Sequence, residues 1–184
     1  MINKIIKRMI NILRVLFLKI THPRSFLLSN NIFKITLSSI KNFDIKNGII
    51  TINGSIKVSQ NSQIGVRDGG KITINDGFFS NNNFTCISHG SIEIGEYVSI
   101  GPNVCFYDHD HCFNEHGKIQ DEFRVGKITV GNNVWIGAGV IILRDTVIGD
   151  NCVIGAGAVI KGNIPANSLV KSNREVSIEK LKKR

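Results

Sequence analysis

From Val130 to Pro165 the chain repeats itself every six residues: Val130-Gly-Asn-Asn-Val-Trp, Ile136-Gly-Ala-Gly-Val-Ile, Ile142-Leu-Arg-Asp-Thr-Val, Ile148-Gly-Asp-Asn-Cys-Val, Ile154-Gly-Ala-Gly-Ala-Val, Ile160-Lys-Gly-Asn-Ile-Pro. A branched aliphatic residue opens every block, and a small or β-branched residue usually stands at the fifth place. A fixed internal period marks a solenoid. Six is neither the 3.6 of a helix nor the plain alternation of a hairpin strand. It fits short strands meeting at tight corners, where Gly or Asn takes the left-handed backbone conformation at little cost. Three such sides close a triangular coil, and the leading Ile and Val then stack inward as ladders. The expected fold is an all-β parallel β-helix.

The same residues resemble a family. Asn132-Asn-Val-Trp-Ile-Gly137, Ile148-Gly-Asp-Asn151 and Ile154-Gly-Ala-Gly157 look like the galactoside, maltose and polysaccharide O-acetyltransferases among the hexapeptide-repeat acyltransferases. The resemblance covers roughly residues 74–170. It implies a left-handed coil, although crossovers between parallel strands are otherwise almost always right-handed. Several chemistries share such folds, so function has to be argued from a site.

At 184 residues the chain is long enough for one domain with a real core. Its formal charge of +9 is concentrated at the ends. Residues 1–43 carry eight Lys/Arg and no acid, and residues 171–184 carry six against Glu175 and Glu179. A nucleic-acid reader would show its charge on the folded body, so nucleic acid is not an expected partner. Cys86, Cys105, Cys112 and Cys152 form no C-x-x-C pair, and Cys105 and Cys152 are expected to be buried and reduced. Reduced thiols agree with a cytoplasmic location.

Three segments follow: 1–43, helical and basic at its start; 44–170, the β-helix; and 171–184, a basic tail. In Met1 to Ile20, Ile5, Ile6, Met9, Ile10, Leu13, Leu16, Phe17 and Ile20 recur at helical spacing, with Lys4, Lys7, Arg8, Asn11 and Arg14 largely on the other side. The stretch is too short and charged for a membrane span, and it lacks a signal-peptide cleavage site. It is expected to cap the open end of the solenoid. The alternative is peripheral contact with the inner membrane face. His22 lies in the turn that ends this helix, and His89 in Ser-His-Gly is expected to be a surface corner residue.

After Ile100-Gly-Pro-Asn-Val-Cys, Phe106 opens a coil that breaks off, and about eighteen residues intervene before the period resumes at Val130. They are expected to leave the coil as a loop over about 107–127, and long loops on a regular scaffold tend to be functional. The segment begins Tyr107-Asp-His-Asp-His-Cys112 and also holds His116. Acyl transfer to an alcohol needs a base, and imidazole is the usual one near neutral pH. In the resembled family the catalytic histidine lies at the root of this loop, and His109 matches it. Here His109-Asp110 replaces the family's common His-Pro. Asp108 and His111 are assigned to acceptor binding beside it. Two other readings stay open, a solvated polar loop and a metal site. A metal site is disfavoured because side chains alternate along an extended segment, so that only His109 and His111 face one way.

The remaining site residues come from the resemblance. Asn81, in Phe78-Phe-Ser-Asn-Asn-Asn-Phe-Thr85, aligns with the asparagine that holds the acceptor sugar; the bland alternative is a polar corner. Trp135, Ala138 and Ala156 align with positions along the acetyl-CoA groove. Ala138 is the position whose N–H stabilises the thioester oxyanion. Lys161 and Arg174 are candidates for the cofactor phosphates, though Lys161-Gly162 inverts the family's order. The resemblance implies an acetyl-CoA-dependent O-acetyltransferase acting on a carbohydrate acceptor, assembled as a homotrimer, with no metal. N-acetylation of an amino sugar, and a non-catalytic glycan-binding solenoid, are the alternatives.

Overall fold

The computed structural model describes residues 2–29 and 34–172. After the helix α1 (Ile2–Thr21) the chain winds as a left-handed parallel β-helix of about six turns. Each turn places one short strand on each of three faces. The first face stacks Phe26–Leu28, Gly48–Asn53, Gly70–Asn75, Ser91–Ile94 and Lys127–Val130 in parallel. The second runs from Ile35–Leu37 through Ile56–Val58, Phe78–Ser80, Ser99–Ile100, Trp135–Ile136 and Val153–Ile154 to Leu169–Val170. The third stacks Phe43–Ile45, Gln63–Val66, Thr85–Ser88 and Cys105–Tyr107. Ile141–Ile148 and Val159–Ile164 each bend around the corner from the third face to the first.

The six-residue period explains the core directly. The leading residues Val130, Ile136, Ile142, Ile148, Ile154 and Ile160 are all buried, and so are Val134, Val140, Thr146, Cys152 and Ala158 at the fifth place. They stack on their counterparts one coil away, as in the ladder Ile52, Ile74, Ile94, Val130, Ile148, Ile164. Burying such side chains contributes about 1.5–3 kcal/mol each before entropy is counted. Asparagines turn the corners in the left-handed conformation, among them Asn133, Asn151 and Asn167 (φ 55°, 57° and 61°), whose side chains bond to one another up the stack.

Three expectations shift. The sixth block is two residues short: Ile160 lies over Ile142, but Ile164 lies over Ile148, so Lys161-Gly162 cuts the corner. The strands begin at Phe26, ahead of residue 44, because the first coil is built of three-residue strands too brief to show a period. Cys152 is buried, but Cys105 is only half-buried, since it takes the outward sixth place of its block.

The helix α1 lies over the N-terminal end of the solenoid. Asn11 accepts from Leu37 N–H (2.7 Å) and donates to Ile35 O, and Arg14 donates to Leu37 O (2.7 Å). Two polar side chains thus occupy the free edge of the first strand of the second face. Among the helix's described side chains, only Val15 and Leu18 join the core.

Candidate active site

The insertion leaves the solenoid at the corner between the third and first faces. Tyr107 ends a coil strand, Asp108 turns the chain outward, and His109–Asn114 pairs antiparallel with Gly117–Val125 as a hairpin. Gly126 N–H donates to Asp108 O (2.7 Å), closing the root where the chain returns. One coil earlier Ser88-His89-Gly90 fills the same corner and wraps the Asp108 carboxylate. Ser88 Oγ donates at 2.6 Å, His89 N–H at 2.9 Å and Gly90 N–H at 2.9 Å. A Cβ on Gly90 would fall 2.4 Å from Gly126 O, so this approach needs bare backbone.

Asp108 is wholly buried. Burial alone would raise its pKa, but the donors from His109, Ser88 and the backbone of His89 and Gly90 outweigh it and hold the group below 3.8. An ionised carboxylate only accepts, so His109 Nδ1, 3.1 Å from Asp108 Oδ1, carries the hydrogen. The lone pair is thereby left on Nε2. Asp108, expected to meet an acceptor, instead sits beneath the surface and orients His109.

The His109 ring lies among other rings. His89 is 3.9 Å away between centroids, Phe123 5.5 Å and Tyr107 6.1 Å. Phe123 comes from the returning hairpin strand, opposite His111, and also meets His89 (4.4 Å) and His111 (4.6 Å). His89 Nδ1 lies 2.9 Å from Asp68 Oδ2, an ion-pair distance without hydrogen-bond alignment. Burial, and then the neighbouring His109, hold the His89 pKa below 6.5 against the pull of Asp68 and Asp108. From the following coil Arg144 Nε donates to Asp110 Oδ2 (2.5 Å), tying the hairpin to the solenoid. His111 is exposed, and His116 stands at the hairpin tip beside Glu115 (3.7 Å). Among the described residues no three His, Cys, Asp or Glu side chains converge as a metal site.

The other predicted residues occupy a different edge. Asn81, Ala138 and Ala156 line the corner between the second and third faces, all exposed. Gly139 N–H donates to Pro102 O (2.9 Å) and Gly157 N–H to Ala138 O (2.8 Å), stacking this corner coil on coil. Asn81 Oδ1 accepts from Asn82 N–H (2.9 Å). Trp135 stands just ahead of the corner on the second face, 59% exposed. His109 and Asn81 therefore sit at opposite ends of the third face, and one chain does not bring them together.

A model of the bacterial transferase hexapeptide, six repeats, matches residues 127–162. A protein of Escherichia coli K12, named provisionally as an O-acetyl transferase of lipopolysaccharide biosynthesis (WbbJ), is 30% identical over 133 residues, 64% of this chain and 68% of that one. The chain belongs to the hexapeptide-repeat transferases. The galactoside O-acetyltransferase of E. coli K12 is 39% identical over 99 residues, 54% of this chain and 49% of that one. The chain thus spans about half the length of several curated relatives it matches. The N-acyltransferase AntD from Bacillus cereus, solved with dTDP-4-amino-4,6-dideoxyglucose and coenzyme A, superposes with a TM-score of 0.63 at 21% identity, covering 89% of each chain; it shares the fold.

Within this hexapeptide-repeat transferase, sequence reasoning missed His89, Phe123 and Arg144. His89 is not a free surface residue: its side chain is only 9% exposed, pressed against His109. The pairing of Cys86 with Phe106 and Ile87 with Tyr107 puts residue 89 level with residue 109, an offset of 20 that a strict count in sixes does not reach. Lys161 is exposed at the shortened corner, in line with the hairpin's exit rather than beside Ala138 and Ala156. Arg174 lies outside the described residues.

Proposed function

We propose that the chain transfers acetyl from acetyl-CoA to a sugar hydroxyl, with His109 as general base. The observation that carries this reading is the buried, ionised Asp108 holding His109 Nδ1, which leaves Nε2 to receive a proton. The hydroxyl oxygen attacks the thioester carbonyl as its proton passes to Nε2. The tetrahedral intermediate then collapses, the C–S bond breaks, and the imidazolium returns the proton to the leaving thiolate. The Ala138 N–H would face the oxyanion in this scheme. Among the described residues no cysteine hydrogen-bonds His109, whose ring nitrogen meets Asp108 instead, and burial raises the Cys86 thiol well above its ordinary range.

His109 and the strip of Asn81, Ala138 and Ala156 lie on separate edges, so the proposed site forms between subunits of a homotrimer, one giving each edge. The acceptor is a sugar of a surface polysaccharide or its lipid-linked precursor; the named role of the WbbJ relative supports this class.

A panel of sugars and amino sugars incubated with acetyl-CoA, read as free thiol, tests the proposal. Turnover on hydroxyl acceptors is expected. Turnover confined to amino sugars would replace it with N-acetylation, and none on any acceptor would leave a binding solenoid.

A further inference from the structure

The side of α1 that faces the solenoid is its polar one. Asn11 and Arg14 hold the strand edge, with Val15 and Leu18 beside them. Opposite them Ile5, Ile6, Met9, Ile10, Leu13, Leu16, Phe17 and Ile20 face outward, from 38% exposed at Leu16 to 76% at Ile20. At about 100° per residue these eight cover an arc of roughly 140°, centred nearly opposite the docked side. A continuous apolar face of this kind on a folded protein marks a docking surface.

Charge selects the occupant. Lys7 and Arg14 flank the apolar arc on one side, Arg8 and Lys19 on the other, and no acidic residue precedes Asp44. No described helix is long and apolar enough to cross a membrane. A second copy of the helix would bring these cations together with no acid in the segment to offset them. The arc is also wider than the narrow seam that paired helices use. We infer that the apolar face of α1 docks on an anionic lipid surface, with Lys7 and Lys19 reaching the phosphate-bearing headgroups. The helix lies along the interface and the solenoid stands end-on above it. His109 is three third-face strands above the first, Phe43–Ile45, or roughly 15 Å at about 4.8 Å per strand spacing. The inference is independent of the acetyl-transfer reading.

Sedimentation of the full chain with vesicles of phosphatidylcholine alone, or of phosphatidylcholine with phosphatidylglycerol, tests it. The wild type should partition onto the anionic vesicles about tenfold or more in preference to the neutral ones, and added salt should weaken that preference. L13Q/F17Q should lose vesicle binding while keeping its thermal midpoint and its mass in solution, because both side chains are exposed. K7E/K19E should lose the preference for anionic lipid. If L13Q/F17Q sedimented like the wild type, or if the wild type ignored anionic lipid, the inference would fail. If L13Q/F17Q lowered the oligomeric mass in lipid-free solution, the face would belong to a second copy instead.

Discussion

The imidazole of His89 lies 3.9 Å, centroid to centroid, from that of His109, tilted by 41°. Two imidazoles this close do not both carry charge readily. Burial first, and the neighbouring ring second, push His89 toward its neutral form. It therefore serves as a neutral floor beneath His109, which Asp108 grips from the side.

A positioning role for His89 has a distinct signature. His89→Ala is expected to lower kcat about tenfold while leaving the KM for acetyl-CoA near its wild-type value, because the ring beneath the base is lost. His89→Phe keeps a flat ring there and should restore most of the rate. Steady-state kinetics of the two variants decide it: equal losses in both would mean that His89 acts through its nitrogens.

Acid should loosen this corner in two stages. The folded protein takes up the His89 proton less readily than the unfolded chain, since the pKa is held below 6.5. Stability is then full above about 6.5 and falls as pH drops from there through the folded value. Asp108, held below 3.8, contributes stability that is present above 3.8 and lost as pH falls further through its own folded value. Thermal midpoints followed downward from neutral pH should show both declines. His89→Phe should abolish the first and keep the second.

How far the sequence disclosed all this depends on where the period held. From Val130 to Ile160 every leading residue points inward as the period predicts, and the fifth residues join them in the interior, because a triangular coil leaves those two places no other direction. Before Ile94 the coils run 20 and 22 residues, as from Ile74 to Ile94 and from Ile52 to Ile74, so counting in sixes slides His89 off the corner it shares with His109. Phe123 reaches the histidines through antiparallel pairing inside the hairpin, which has no period to read. The apolar arc of α1 was plain in its spacing. Which side met the solenoid was not, since two polar side chains on a strand edge decided it.

Asp108→Asn should separate orientation from charge. The amide has one oxygen for the four donors that now meet the carboxylate, and whichever way it turns, its NH2 faces a backbone N–H, of His89 or of Gly90, that also donates. Leaving buried donors unmet costs about 1–3 kcal/mol, read as a drop in thermal midpoint. Turnover should fall further than that loss of stability explains, because His109 is free to adopt the other tautomer. A variant with wild-type kcat would remove Asp108 from the proposed mechanism.

His109→Ala should lower turnover by about 10²–10⁴-fold with little change in acetyl-CoA affinity, as expected for loss of a general base. His111→Ala should cost tenfold or less, since that ring is exposed and meets Phe123 rather than the base. Chelator should leave the wild-type rate unchanged. Similar losses for both histidines, with activity restored by a divalent ion after chelation, would instead favour a metal site in the hairpin.

Mixed trimers test the shared site most directly. His109 lies where the third face meets the first, and Asn81 where the second meets the third, so a site that uses both must draw them from different subunits. His109→Ala and Asn81→Ala homotrimers should each be weakly active. When the two chains are co-folded in equal amounts, a site is intact only where an Asn81→Ala subunit supplies His109 to a neighbour carrying Asn81. With random assortment around a closed threefold that is about a quarter of the sites, so the mixture should recover roughly a quarter of wild-type turnover. Light scattering should give the trimer mass in every sample. A mixture no more active than its parents, at full trimer mass, would confine the site to one chain and exclude Asn81 from it.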